Sequence, residues 1–152
     1  MWPQLGARVR KLWARHASYM PADALLQNWL TKLTHTPNLL PIWCVVEERR
    51  IVAHTIACAE MYFGRPFVLI HQAQSDRPDI TRQFKQGVVD ALVAWIHEMN
   101  HNLRENGYTA RFEHIRILTP HSTKFWRRWL PLDCVLEEHT LTFAVPEEKS
   151  EV

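Results

Sequence analysis

Apolar positions along the chain change their period twice. Leu5, Val9, Leu12, Trp13 and His16 recur at helical spacing, with Arg8, Lys11 and Arg15 on the opposite, solvated face. Pro21 opens a second helix whose apolar stripe is Leu25, Leu26, Trp29, Leu30 and Leu33. Residues 36–41, with two prolines, read as a loop. From Ile42 the pattern becomes β-rich. Residues 42–47 form a strand, 48–50 a polar turn and 51–61 a second strand; Gly64-Arg65-Pro66 signals another turn, and 67–74 form a third strand. Two consecutive hairpins make an antiparallel meander.

The helical period then returns for about six turns. Ile80, Phe84, Val88, Ala91, Leu92, Trp95, Ile96, Met99 and Leu103 hold one face, Asp79 stands where it can cap the start, and Asn106-Gly107 ends the helix. Residues 112–118 form a strand. The long helix before it makes it parallel to the third strand, joined by a right-handed crossover. Residues 121–130 are a short helix with Ser122 or Thr123 near its start, 135–145 a last strand and 146–152 an acidic, disordered tail. The fold class is α/β (α+β): two N-terminal helices, a mixed sheet and a β-α-β crossover, in one domain over residues 1–145.

Composition narrows the function classes. The 152 residues carry 18 Lys and Arg against 16 Asp and Glu, a formal charge of +2, so bulk charge does not point to nucleic acid. Seven tryptophans exceed what a core of this size needs and suit a protein partner. Cys44, Cys58 and Cys134 are odd in number and form no CxxC pair, which fits a reducing compartment and suggests neither a disulfide framework nor a zinc knuckle. The N-terminus lacks the apolar core of a signal peptide and no run reaches membrane-spanning length; the expectation is a cytoplasmic protein without membrane contact.

Three antiparallel strands, a long helix, a parallel strand, a short helix and a final strand over residues 42–145 resemble the fold of the acetyl-CoA-dependent GNAT N-acetyltransferases. More narrowly, Met1-Trp2-Pro3, the two helices, and Ile42-Trp43-Cys44-Val45-Val46 with Ile51-Val52-Ala53 resemble small GNAT-like proteins encoded by bacteriophages. The resemblance implies that acetyl-CoA enters between the third and fourth strands, its pyrophosphate resting on amides at the N-terminus of the long helix. The family loop there reads Arg/Gln-x-x-Gly-x-Gly/Ala. This chain has Gln74-Ser75-Asp76-Arg77-Pro78-Asp79-Ile80-Thr81-Arg82, without glycine. Pro78 removes one donor, and Asp76 and Asp79 place negative charge where the pyrophosphate would sit. Arg77 and Arg82, with Thr81, are the side chains left to hold phosphate.

The family also implies a tyrosine on the short helix that protonates the leaving thiolate. Trp126 stands in its place, and an indole cannot supply that proton; His121 is the substitute acid or base. For the general base the candidates are Glu60 and His71, with His71 preferred because it lies near the gap and titrates in the useful range. These departures imply an acetyl-CoA site that is weakened or lost. Two readings follow: a phage-type assembly or interaction module with a protein partner, or an N-acetyltransferase acting on an amine.

His97-Glu98-Met99-Asn100-His101 also matches HExxH, the zinc-metalloprotease signature and a third reading of the function, in which two helical histidines share a zinc and the glutamate activates its water. Both histidines fall opposite the apolar stripe, and Glu113, His114 and His121 are the only third ligands on offer, so the motif is read as an exposed polar face and no metal site is assigned. Lys124, Arg127 and Arg128, interleaved with Phe125, Trp126 and Trp129, are likewise read as a solvated helix face over a core stripe.

Overall fold

A computed structural model describes residues 1–16, 22–62, 64–117, 123–130, 132, 134 and 145–147. Two compact units emerge, residues 1–120 and 121–152. In the first, helices α1 (Trp2–His16) and α2 (Ala22–His35) lead through a 3-10 turn at Pro37–Leu39 into strands β1 (Ile42–Glu47), β2 (Arg50–Tyr62) and β3 (Arg65–Ser75). Helix α3 (Pro78–Glu105) then carries the chain to β4 (Ile115–Ile117). The sheet order is β1-β2-β3-β4, antiparallel for the first three strands, with β4 parallel to β3. This is the meander and β-α-β unit that the periodicity predicts. In the second unit the described helix is α4 (Thr123–Trp129). The expected strand over 135–145 lies outside the described residues except for Val145, as does the tail beyond Glu147.

The sheet is buried on both faces of β2 by side chains of different size. Ile51, Ile56 and Cys58 join Leu5, Val9, Leu25, Leu26, Trp29 and Leu40 in one cluster against α1 and α2. The alternate residues Ala53, Thr55 and Ala57 are buried on the other face. There α3 meets β2 and β3, and the small side chains let its Phe84, Val88 and Leu92 approach. At the β1–β2 turn Glu48 and Arg49 both have positive φ, 45° and 65°. That handedness suits a two-residue hairpin turn but strains residues with a Cβ. Gln4 of α1 clamps the turn, donating from Nε2 to Arg49 O at 2.8 Å and accepting from Ile51 N at 3.2 Å.

Several expectations need correction. The N-cap of α3 is Arg77, with Pro78 following it, so Asp79 sits inside the first turn rather than capping it. Pro78 has the fixed φ that suits the first helical position, which moves the start two residues upstream. Among the described residues, the strand expected over 112–118 is formed at Ile115–Ile117 and does not extend back over 112–114. Phe112 is held instead by Asn100 of α3: Phe112 N donates to Asn100 Oδ1 at 2.7 Å, and Asn100 Nδ2 donates to Phe112 O at 3.0 Å. Leu30 of the expected stripe is exposed. Arg8 is not on a solvated face, since its side chain is only 16% exposed.

Candidate functional site

Chemistry concentrates at two places in the first unit. One is an open groove of about 580 Å³ at the start of α3, lined by Ser75, Asp76, Arg77, Pro78, Thr81, Arg82 and Lys85. The loop that forms it is tied down from within. Ser75 Oγ and Thr81 Oγ1 both donate to Arg77 O, at 2.9 and 2.7 Å. No side chain at the N-cap covers the helix, so the amides of the first turn after Pro78 lack that partner.

The two carboxylates that the sequence places against a phosphate are both matched by arginines. Arg8 Nη1 donates to Asp76 Oδ2 at 2.7 Å, and this hydrogen bond holds the Asp76 carboxyl below its ordinary pKa. Asp79 Oδ1 accepts from Arg77 Nε at 3.1 Å, and Arg77 Nη2 reaches Glu47 Oε1 of β1 at 2.7 Å. Arg77, expected to hold a phosphate, is engaged here by two carboxylates. Thr81 uses its hydroxyl within the loop, while Arg82 lines the groove on the exposed side of the helix.

The second place is the middle of β2 and β3, on the face covered by α2. Cys58 and Glu60, two apart on β2, share that face. On β3, Ile70 pairs with Ala57 and Gln72 with Ile56, which leaves His71 as the extra residue of a β-bulge. The bulge turns His71 toward α2, where its ring meets Trp29 edge-on at 5.2 Å. Lys32 of α2 reaches into the same spot, with Nζ 2.6 Å from Glu60 Oε1 and 3.2 Å from Cys58 Sγ. Among the described residues, β3 pairs with β4 from Val68↔Ile115 to Ile70↔Ile117.

Burial sets the charge states. It pushes the His71 imidazole down to about 4, with the Glu60 carboxylate pulling the other way, so the ring is neutral at pH 7 and does not titrate in the range expected of it. Burial also pushes the Cys58 thiol up to about 11. Burial alone would raise Glu60, but hydrogen bonds from Lys32 and Cys58 bring it below its ordinary value. Burial would lower Lys32, yet its bonds to Glu60 and Cys58 leave it raised, so the pair is ionised.

Glu60 and His71 are thus brought together, joined by Lys32 and Cys58, which the sequence reading did not single out. The i, i+2 spacing of Cys58 and Glu60 was a usable signal; the arrival of Lys32 from another element was not. His121 lies outside the described residues, and Trp126 is half-buried on α4. His97 and His101 are exposed on α3, as the helical wheel expects, and His101 Nδ1 lies 3.3 Å from Arg104 Nη2. Among the described residues no helix is long and apolar enough to cross a membrane.

No protein-family model matches the sequence, and no curated protein matches it. Solved structures do. The glucosamine-6-phosphate N-acetyltransferase of Arabidopsis thaliana is similar over 93% of this chain and 94% of its own, with a TM-score of 0.58 and 14% identity. A predicted acetyltransferase of Clostridium acetobutylicum, solved with acetyl-CoA, covers 91% of this chain and 88% of its own, with a TM-score of 0.57 and 15% identity. The ribosomal-protein-alanine N-acetyltransferase of Brucella melitensis biovar Abortus 2308 covers 93% of both chains, with a TM-score of 0.50 and 9% identity. At such identities the likeness is one of architecture, and it agrees with the strand order and crossover described above: the chain has the GNAT N-acetyltransferase fold.

Proposed function

We propose that this protein binds an acyl-CoA at the start of α3 and transfers the acyl group to an amine. The observation that carries the reading is the compensation of Asp76 by Arg8 and of Asp79 by Arg77. It removes the electrostatic objection that the sequence raises and leaves a groove whose lining includes Arg82 and Lys85 beside uncapped first-turn amides. Such a groove fits phosphate. Bound there, acetyl-CoA supplies an activated thioester that an amine can attack, with loss of the CoA thiol. His71, the base expected from the sequence, is pushed down by burial to about 4 and is a weak proton acceptor at pH 7, so the transfer relies on positioning an amine that arrives neutral.

A second reading, a phage-type assembly or interaction module with a weakened cofactor site and a protein partner, draws on other observations. Pro78 still deletes an amide, Arg77 is held by Glu47 and Asp79, and Trp126 replaces the expected tyrosine. Calorimetry with acetyl-CoA separates the two. The transferase reading expects micromolar binding that weakens about tenfold or more in Arg82→Ala, a charge-assisted contact being worth at least ~1.4 kcal/mol. No heat of binding at millimolar acetyl-CoA would rule it out in favour of the module.

A further inference from the structure

Among the described residues, Cys58, Glu60 and His71 form the one group of three metal-ligating side chains, with one ligand atom from each lying within 4.8 Å of the others. We propose that they form a binding site for a single thiophilic divalent cation of the Zn²⁺ class, and that Lys32 keeps the site closed by placing its ammonium among the ligands. The donor set is sulfur, imidazole nitrogen and carboxylate oxygen, which suits zinc better than a hard cation. Zinc bonds of about 2.0–2.3 Å put neighbouring ligand atoms roughly 3–4 Å apart, so side-chain rotations close the remaining gap.

The backbone supports such a site. Cys58 and Glu60 stand two apart on β2, paired with Leu69 and Phe67 of β3, and His71 stands on β3 at a bulge that aims it to the same face. His71 Nε2 is buried without a hydrogen-bond partner among the described residues, an unusual state for a ring nitrogen. Three protein ligands leave a fourth position for water or an exogenous group.

Lys32 shows that the place already attracts a cation: its ammonium bridges Glu60 and Cys58. The Lys32 and Glu60 side chains are 27% and 31% exposed, so the ammonium can swing to water on its flexible stem and open a path from solvent. When the metal binds, the Cys58 thiol gives its proton to solvent and its sulfur bonds the cation as thiolate; no redox step is involved. The inference goes beyond the acyl-transfer reading and does not rest on it.

The test titrates chelator-treated, full-length protein with ZnCl₂ by calorimetry, and with Co²⁺ by absorption, where a thiolate ligand gives a charge-transfer band. The expected result is one metal per chain, release of about one proton per metal and a Co²⁺–thiolate band. Cys58→Ser should abolish the band, although Cys44 and Cys134 remain. His71→Ala should weaken binding about tenfold or more, as loss of a ligand does. Lys32→Met should tighten binding about tenfold, because a competing ammonium is gone; misfolding cannot produce such a gain. Unchanged affinity in Lys32→Met, a band that survives Cys58→Ser, or binding lost only in His97→Ala would each overturn the assignment, the last by moving the metal to the HExxH helix.

Discussion

Arg8 joins three segments that lie far apart in the sequence. Its guanidinium donates to Ile51 O at 2.8 Å, to Asp76 Oδ2 at 2.7 Å and, from Nε, to His54 Nδ1 at 3.2 Å. Since Nδ1 accepts, the neutral ring carries its hydrogen on Nε2, which donates to Gln72 Oε1 at 3.2 Å. Burial is the main cause that pushes His54 down to about 4, opposed by the bond to Gln72 and reinforced by the charge of Arg8. In the unfolded chain the ring titrates near its usual 6.5. Above pH 6.5 neither state holds the proton. As pH falls toward 4 the unfolded state takes it up first, so stability declines through that window and the loss levels off below it. The span corresponds to roughly 3 kcal/mol. Denaturant melts at pH 7.5 and pH 4 should show wild type losing about that much more stability than His54→Gln; parallel losses would mean that His54 is not the buried neutral ring described here. The same network explains where residue-level reading of the sequence failed. Glu60 and His71 were legible as strand residues with useful chemistry. The charge of Asp76 was misjudged because its partner lies 68 positions away, and no local pattern announces such a pairing.

Helix α3 was the most legible element, because 28 residues give a 3.6-residue period many chances to repeat. Phe84, Val88, Leu92 and Met99 of the expected stripe are buried, and Asn106 and Gly107, the latter at φ 79°, end the helix where turn chemistry expects. Its start was misplaced because an aspartate N-cap and a proline at the first helical position compete as signals, and here the proline prevailed. The fourth strand was overcalled because alternation cannot reveal that Asn100 captures both backbone groups of Phe112. One feature of α3 is suboptimal for a helix. Gly87 is exposed in its interior, and a Cβ built there meets nothing within 4 Å. Gly87→Ala should therefore raise stability by about 0.5–1 kcal/mol, through helix propensity and a less flexible unfolded chain. A rise in Tm without a change in m-value would support this; a fall would mean that the outer face of α3 is covered in solution.

At the scale of the first unit, β2 is the strand that every layer touches. It pairs with β1 over residues 50–56 and with β3 over residues 53–62, carries the α1–α2 cluster on one face and meets α3 on the other. Strand order was readable from the sequence because both hairpins are local; the sharing of β2 between two helical layers was not, because it depends on contacts between distant segments. Backbone amides open with free energies that track such surroundings. In hydrogen exchange, the amides of residues 53–58 should therefore be among the slowest in the protein and should open only with global unfolding. β1 stands at the sheet edge among the described residues and pairs on one side only. Its Val46 is 44% exposed. Alternate amides of residues 42–47 point away from β2 and should exchange faster than any in 53–58. Uniform protection of β1, as slow as β2, would mean that its outer edge is paired in solution, and a concentration dependence of that protection would identify the pairing strand as one from a second copy of the chain.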